Sequence, residues 1–86
     1  MKVMIFYKDN TDTTRMVTDF LWDLERQTGH QPEIIDPESR EGVDLCHMYG
    51  IWQWPAIVAV SDSGILQKMW LGTPLPTINE ISFYFR

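Results

Sequence analysis

"YGIWQWPAIVAV", residues 49–60, decides how the rest of the chain is read. Tyr49–Gly50 has the form of a helix end, because glycine reaches the left-handed C′ conformation without steric cost. Ile51 to Trp54 is a short loop carrying two indoles. Pro55 then stands directly before an unbroken apolar run, Ala56 to Val60, which reads as a strand buried on both faces. A proline cannot donate to a sheet, so its place ahead of a buried strand calls for a structural reason.

Working outward, apolar runs alternate with helical patterns, the signature of βαβ units on a mostly parallel sheet. Val3 to Tyr7 reads as a buried strand. Met16, Val17, Phe20, Leu21 and Leu24 fall at helical spacing, with Asp19, Asp23, Glu25 and Arg26 elsewhere, so an amphipathic helix follows and Gly29 ends it. Glu33 to Asp36 is a short second strand. "DPES" starts a second helix at Pro37 or Ser39, with Val43, Leu45, Cys46 and Tyr49 inward. "SDSG" at 61–64 is a tight turn into an antiparallel strand at 65–71, on which Leu66 and Trp70 share a face and Gln67 and Lys68 suit a sheet edge. From Pro76 onward Ile78, Ile81 and Phe85 repeat at helical spacing. The expected order is βαβαββα in an α/β domain.

At 86 residues, one domain over 1–86 is expected, since a second core would bury too little apolar surface. Twelve acidic against seven basic side chains give 7 − 12 = −5, which repels phosphate backbones and anionic bilayers, so neither nucleic acid nor membrane is expected as a partner. The lone cysteine, Cys46, has no internal disulfide partner and reads as a small buried hydrophobe. Val3 to Tyr7 is too short for a signal-peptide core or a membrane span, so a cytoplasmic address is expected. No metal-ligand spacing is present: His30 lies in a loop, and His47 lies off the apolar stripe, about 100° round the helix from Cys46.

The sequence resembles the thioredoxin and glutaredoxin superfamily in its minimal form. The likeness rests on "YGIWQWPAIVAV" and on "DSGILQKMWLGTPLPTINEI" at 62–81, which is similar to the family's hairpin turn, fourth strand, glycine and final helix. It implies a four-stranded mixed sheet flanked by three helices, with Pro55 as a cis-proline before the third strand.

In redox members the first helix opens with Cys-x-x-Cys, and the resemblance places Thr11 and Thr14 at those two positions. "TDTT" keeps the place and removes the chemistry. A threonine hydroxyl does not ionise near neutral pH and forms no mixed disulfide, so thiol–disulfide exchange is not expected and no cofactor is called for. Asn10, Thr11 or Asp12 is expected to cap the helix that follows. An anion could sit at that helix N-terminus near Lys8 and Arg15, but Asp9 and Asp12 offset both charges. Likeness to glutathione transferases offers an alternative, a glutathione-binding enzyme in which the Thr11 hydroxyl holds the thiolate and the Trp54 backbone grips the peptide. No basic cluster for glutathione's carboxylates accompanies it.

Trp52 and Trp54 flank Gln53 beside this corner. They either plug a vacated groove or line a recognition surface for a protein or peptide, with a second copy of the chain as another partner. The candidate binding groove is therefore Asn10, Thr11, Thr14, Trp52, Trp54 and Pro55, with no catalytic or metal-ligating residue. The functional reading is a non-catalytic binding module of thioredoxin-like form.

Overall fold

The computed structural model describes residues 1–85. Its elements follow the order β1 (Lys2–Phe6), α1 (Thr14–Thr28), β2 (Glu33–Ile35), α2 (Arg40–Tyr49), β3 (Ala56–Val60), β4 (Leu66–Leu71) and α3 (Ile78–Ser82). The strands form one sheet in the order β2-β1-β3-β4. β1 runs parallel to β2 and antiparallel to β3, and β3 runs antiparallel to β4, so the sheet is mixed.

Strand alternation divides the apolar residues between two cores. Val3, Ile5, Ile57 and Ala59 face α1 and α3, where Val17, Leu21, Leu24 and Ile81 meet them. Met4, Phe6, Ala56, Val58 and Val60 face α2, where Cys46 joins Ile35 and Ile51. Among the described residues no polar or charged side chain is buried in either.

Glycine and hydroxyl residues mark the ends. Gly29 (φ 74°) and Gly50 (φ 70°) close α1 and α2 in left-handed geometry, their N–H groups donating to the Glu25 and Cys46 carbonyls. The hydroxyl oxygen of Ser39, one of the two expected starts, accepts from the Gly42 N–H at the head of α2. Ser61 to Gly64 makes the hairpin turn, with the Gly64 N–H on the Ser61 carbonyl at 2.9 Å.

Several expectations need correction. Thr13, not Asn10, Thr11 or Asp12, is the N-cap of α1, and its hydroxyl makes no capping bond. Met16 is exposed, because a stripe centred on Val17, Leu21 and Leu24 leaves it about 100° from Val17 at the margin. Val43 is exposed for the same reason; Gly42 and Cys46 are the fully buried residues of α2. α3 stops at Ser82, and Tyr84 and Phe85 reach the first core through successive turns rather than helix. Leu66, not Ile65, is the first residue of β4. The Trp54–Pro55 peptide, by contrast, is cis as the resemblance implies, and Thr73–Pro74 is cis as well.

Two positions test this packing. A Cβ at Gly42 would collide with the Asp36 carbonyl and come within 2.9 Å of the Pro37 Cα, both backbone atoms that cannot swing aside. Gly42→Ala should destabilise the fold by roughly 1–3 kcal/mol in urea unfolding, although alanine favours helices. At α3, Thr77 and Glu80 form a reciprocal capping box. The Glu80 carboxyl is held below its ordinary range chiefly by the Thr77 backbone N–H and then by its hydroxyl. A depressed folded-state pKa gives stability that is present above the unfolded value and lost as pH falls through the folded one. Amide protection factors in residues 78–82 should therefore fall on acidification below about pH 4.3, and Glu80→Gln should remove that pH dependence.

Candidate functional site

The polar corner after β1 folds around one acceptor, the backbone carbonyl of Lys8. The Thr14 hydroxyl donates to it at 3.0 Å, and the Thr11 hydroxyl lies 3.3 Å from it. The Thr14 oxygen in turn accepts from the Thr11 N–H at 3.0 Å. Thr11 Oγ1 is also 3.1 Å from Thr13 Oγ1 and 3.2 Å from Thr14 Oγ1. Asn10 lets the chain make this bend by taking φ 60°, a conformation asparagine tolerates better than most residues. The hydroxyls thus form a closed network that holds the loop on the first turn of α1.

Lys8 ties this corner to two other segments. Its ammonium is 3.4 Å from Glu38 in the loop ahead of α2, and 4.8 Å above the ring of Trp54. Asp9 and Asp12 lie on the exposed loop beside it. Tyr7, just before, has its phenol pKa raised by burial and then by the charge of Asp9.

Trp54 is the wall between two shallow recesses. One, of about 190 Å³, is lined by Lys8, Thr11, Asp12, Thr13 and Trp54. The other, of about 200 Å³, lies along α2 between Pro37, Val43, Cys46, His47, Ile51 and Trp54. The structure therefore brings Thr11 and Trp54 together, while Pro55, next in the chain, is buried. Thr14 is turned into the loop network, and Asn10 serves the bend and lines neither recess. Trp52 also lines neither; it projects into solvent, 70% exposed, whereas Trp54 is 36% exposed.

Between the indoles, Gln53 runs back against the Cα of Gly72, where a Cβ would strike its side-chain amide. The Gly72 N–H donates to the Pro55 carbonyl at 2.7 Å, so the loop is pinned at both ends of its approach to β3. Sequence reasoning missed Lys8 and Gln53 as organisers of the corner. Neither has a motif, and their roles appear only when separate segments meet.

Cys46 is buried in α2, as expected of a small hydrophobe. His47 is exposed. His30 is exposed on one side but stacks on Phe85 at 5.2 Å, a contact its loop position did not announce. Among the described residues no group of three His, Cys, Asp or Glu side chains is placed to hold a metal ion, and no helix is long and apolar enough to cross a membrane.

No protein-family model matches the sequence, and no curated protein does. Thioredoxin 1 from the thermophilic eubacterium Thermosipho africanus TCF52B has a similar structure. The two superpose with a TM-score of 0.64 over 94% of this chain and 85% of that one, at 15% sequence identity. The chain has a thioredoxin-like fold. That likeness concerns backbone architecture alone.

The hydroxyl network makes Thr14 and Thr11 unequal. Thr14→Val keeps the side-chain shape but removes the acceptor of the exposed Thr11 N–H and the shorter donor to the Lys8 carbonyl, which should cost about 0.5–1.5 kcal/mol in chemical denaturation. Thr11→Val leaves the Thr14 bonds in place and should cost less than half as much.

Proposed function

We propose that this chain is a thioredoxin-like binding module that performs no thiol–disulfide exchange and recognises a protein or peptide through the corner between Thr11 and Trp54. The observation that carries the reading is the juxtaposition of a self-satisfied threonine network with exposed tryptophans on one loop. Exchange needs a thiolate. The hydroxyls at the corner already exchange hydrogen bonds with the backbone and with one another, and the single thiol is buried in α2.

Two indoles with this much surface are poor candidates for a core plug. Trp52 in particular leaves most of its ring in water, an arrangement that stabilises a monomer little and suits an interface anchor. Trp54, flanked by recesses and with Lys8 over one face, offers a semi-rigid wall against which an extended peptide can lie. A net charge of −5 disfavours nucleic acid and anionic bilayers as the partner. The compartment we propose is the cytoplasm, where a lone thiol stays reduced.

The glutathione alternative receives less support from the same geometry. The Thr11 hydroxyl is engaged by its own loop, Lys8 is paired with Glu38, and Asp9 and Asp12 oppose the carboxylates of the tripeptide.

The test has two arms. Wild-type protein should reduce neither insulin nor a small glutathione disulfide above background, and turnover abolished by Cys46→Ser would overturn the non-redox reading. Peptides selected by display on the wild type should bind Trp52→Ala or Trp54→Ala at least ~5-fold more weakly, the more than 1 kcal/mol expected of a hot spot. Trp52→Ala should melt within about 0.5 kcal/mol of wild type because its ring is exposed. Unchanged peptide affinity in both variants would sink the groove.

A further inference from the structure

Three recesses meet around the groove between Thr11 and Trp54, and two residues link them in series. Lys8 is shared by the Thr11 recess and by a larger one, of about 300 Å³, lined also by Tyr7, Asp9, Ile34, Asp36 and Glu38. Trp54 is shared by the Thr11 recess and the one along α2. The large recess opens where a parallel pair of strands ends, since Tyr7 follows β1 and Asp36 follows β2. Crevices at the carboxyl ends of such strands are where α/β sheets take ligands.

The two ends of this series differ in chemistry. On the Lys8 side the lining presents four carboxylates, Asp9, Asp12, Asp36 and Glu38, against the one ammonium of Lys8. Glu38 is paired with that ammonium at 3.4 Å, whereas among the described residues Asp9, Asp12 and Asp36 form no ion pair. Arg15 and Arg40 line none of the three recesses. The charge of Asp9 reaches into the large recess, where it adds to burial in raising the phenol of Tyr7. Beyond Trp54 the lining is Pro37, Val43, Cys46, His47 and Ile51, with no carboxylate. Lys8 itself displays the chemistry that the acidic side accepts, a cation set between a carboxylate and an indole face.

We propose, on the footing of the groove assigned above, that its partner is a basic extended segment: an apolar side chain lies in the recess along α2, the backbone crosses Trp54, and an arginine enters the recess of Tyr7, Asp9 and Asp36. Charge of one sign without compensation on one side, and apolar surface on the other, define the complement. A guanidinium suits the acidic recess because it is planar and weakly hydrated, bridges separate carboxylates, and lays its stem on Tyr7 and Ile34. An acidic or phosphorylated segment would meet three unpaired carboxylates there. A second copy of this chain, at net charge −5, carries the same sign as the site. Because part of the attraction is between exposed charges, salt weakens it.

Peptides selected by display on the wild-type protein should carry an arginine with an aliphatic or aromatic residue a few positions away. Replacing that arginine by citrulline, its neutral isostere, should weaken binding at least ~10-fold, and raising salt from about 50 to about 500 mM should weaken the arginine form alone. Asp9→Asn combined with Asp36→Asn keeps the acceptor that Asp36 offers the Glu38 N–H at 2.9 Å. It should cost the arginine peptide at least ~5-fold and the citrulline peptide nothing. In a titration with N-acetyl-arginine amide, the Asp9 and Asp36 backbone amides should shift, and the citrulline counterpart should leave them in place. Peptides whose binding depends on Trp54 but not on arginine, salt, Asp9 or Asp36 would overturn this partner and leave the groove standing. An arginine amide that shifts neither aspartate would also overturn it, and a selection that yields no binder would overturn groove and partner together.

Discussion

β3 is the constraint on which the rest of the molecule depends. All five of its residues are buried, and they divide by parity between two cores. A strand covered on both faces leaves no freedom of register, since a slip by one residue would exchange every side chain between an α1/α3 layer and an α2 layer of different shape. β1 pairs with it along its whole length, from Lys2 opposite Val60 to Phe6 opposite Ala56, so the end of β1 and the start of β3 must lie side by side. The corner after Phe6 and the loop before Ala56 are therefore neighbours by construction. That adjacency, rather than attraction between their side chains, places Trp54 beside Thr11.

Given that placement, local chemistry settles the detail. The chain leaves β1 through a bend at Asn10, and its hydroxyls converge on the Lys8 carbonyl. On the other side, the Pro55 carbonyl is tied to Gly72 and Gln53 lies along the same glycine. Lys8 crosses between the two sides, over Trp54 and toward Glu38. Lys8, Glu38 and Trp54 are partly or largely exposed, and an ion pair at 3.4 Å in water contributes little to stability. The corner is consequently held by hydrogen bonds to the Lys8 carbonyl on one side and to the Pro55 carbonyl on the other.

The fold was legible because its signals are strong and local. Ala56–Val60 is wholly apolar, Gly29 and Gly50 stand where left-handed caps are needed, and "SDSG" closes a hairpin by its own hydrogen bonds. Errors arose where helical position had to be judged from residue type. Met16 and Val43 are apolar but lie at the margins of their stripes, while Gly42, with no side chain, is the residue pressed against the Asp36 carbonyl. The cap of α1 was misplaced because three candidate side chains precede it, and the Thr11 hydroxyl bonds within the loop rather than to the helix. The roles of Lys8, Gln53 and His30 were not legible at all. Each depends on a partner more than 15 residues away in sequence, respectively Glu38 and Trp54, Gly72, and Phe85.

A redox corner of this geometry would need a sulfur that is exposed enough to attack and a helix N-terminus free to stabilise the thiolate. Here Thr14 occupies the first position of α1 and directs its hydroxyl backward to Lys8, so the residue that begins the helix serves the loop. Placing cysteines at 11 and 14 would remove the donor to the Lys8 carbonyl and the acceptor of the Thr11 N–H together, since a thiol hydrogen-bonds weakly. The loop that now closes on itself would lose its closure at the moment it gained a thiolate. The threonines are thus part of how this corner folds, and the binding role proposed for Trp54 asks no reaction of them.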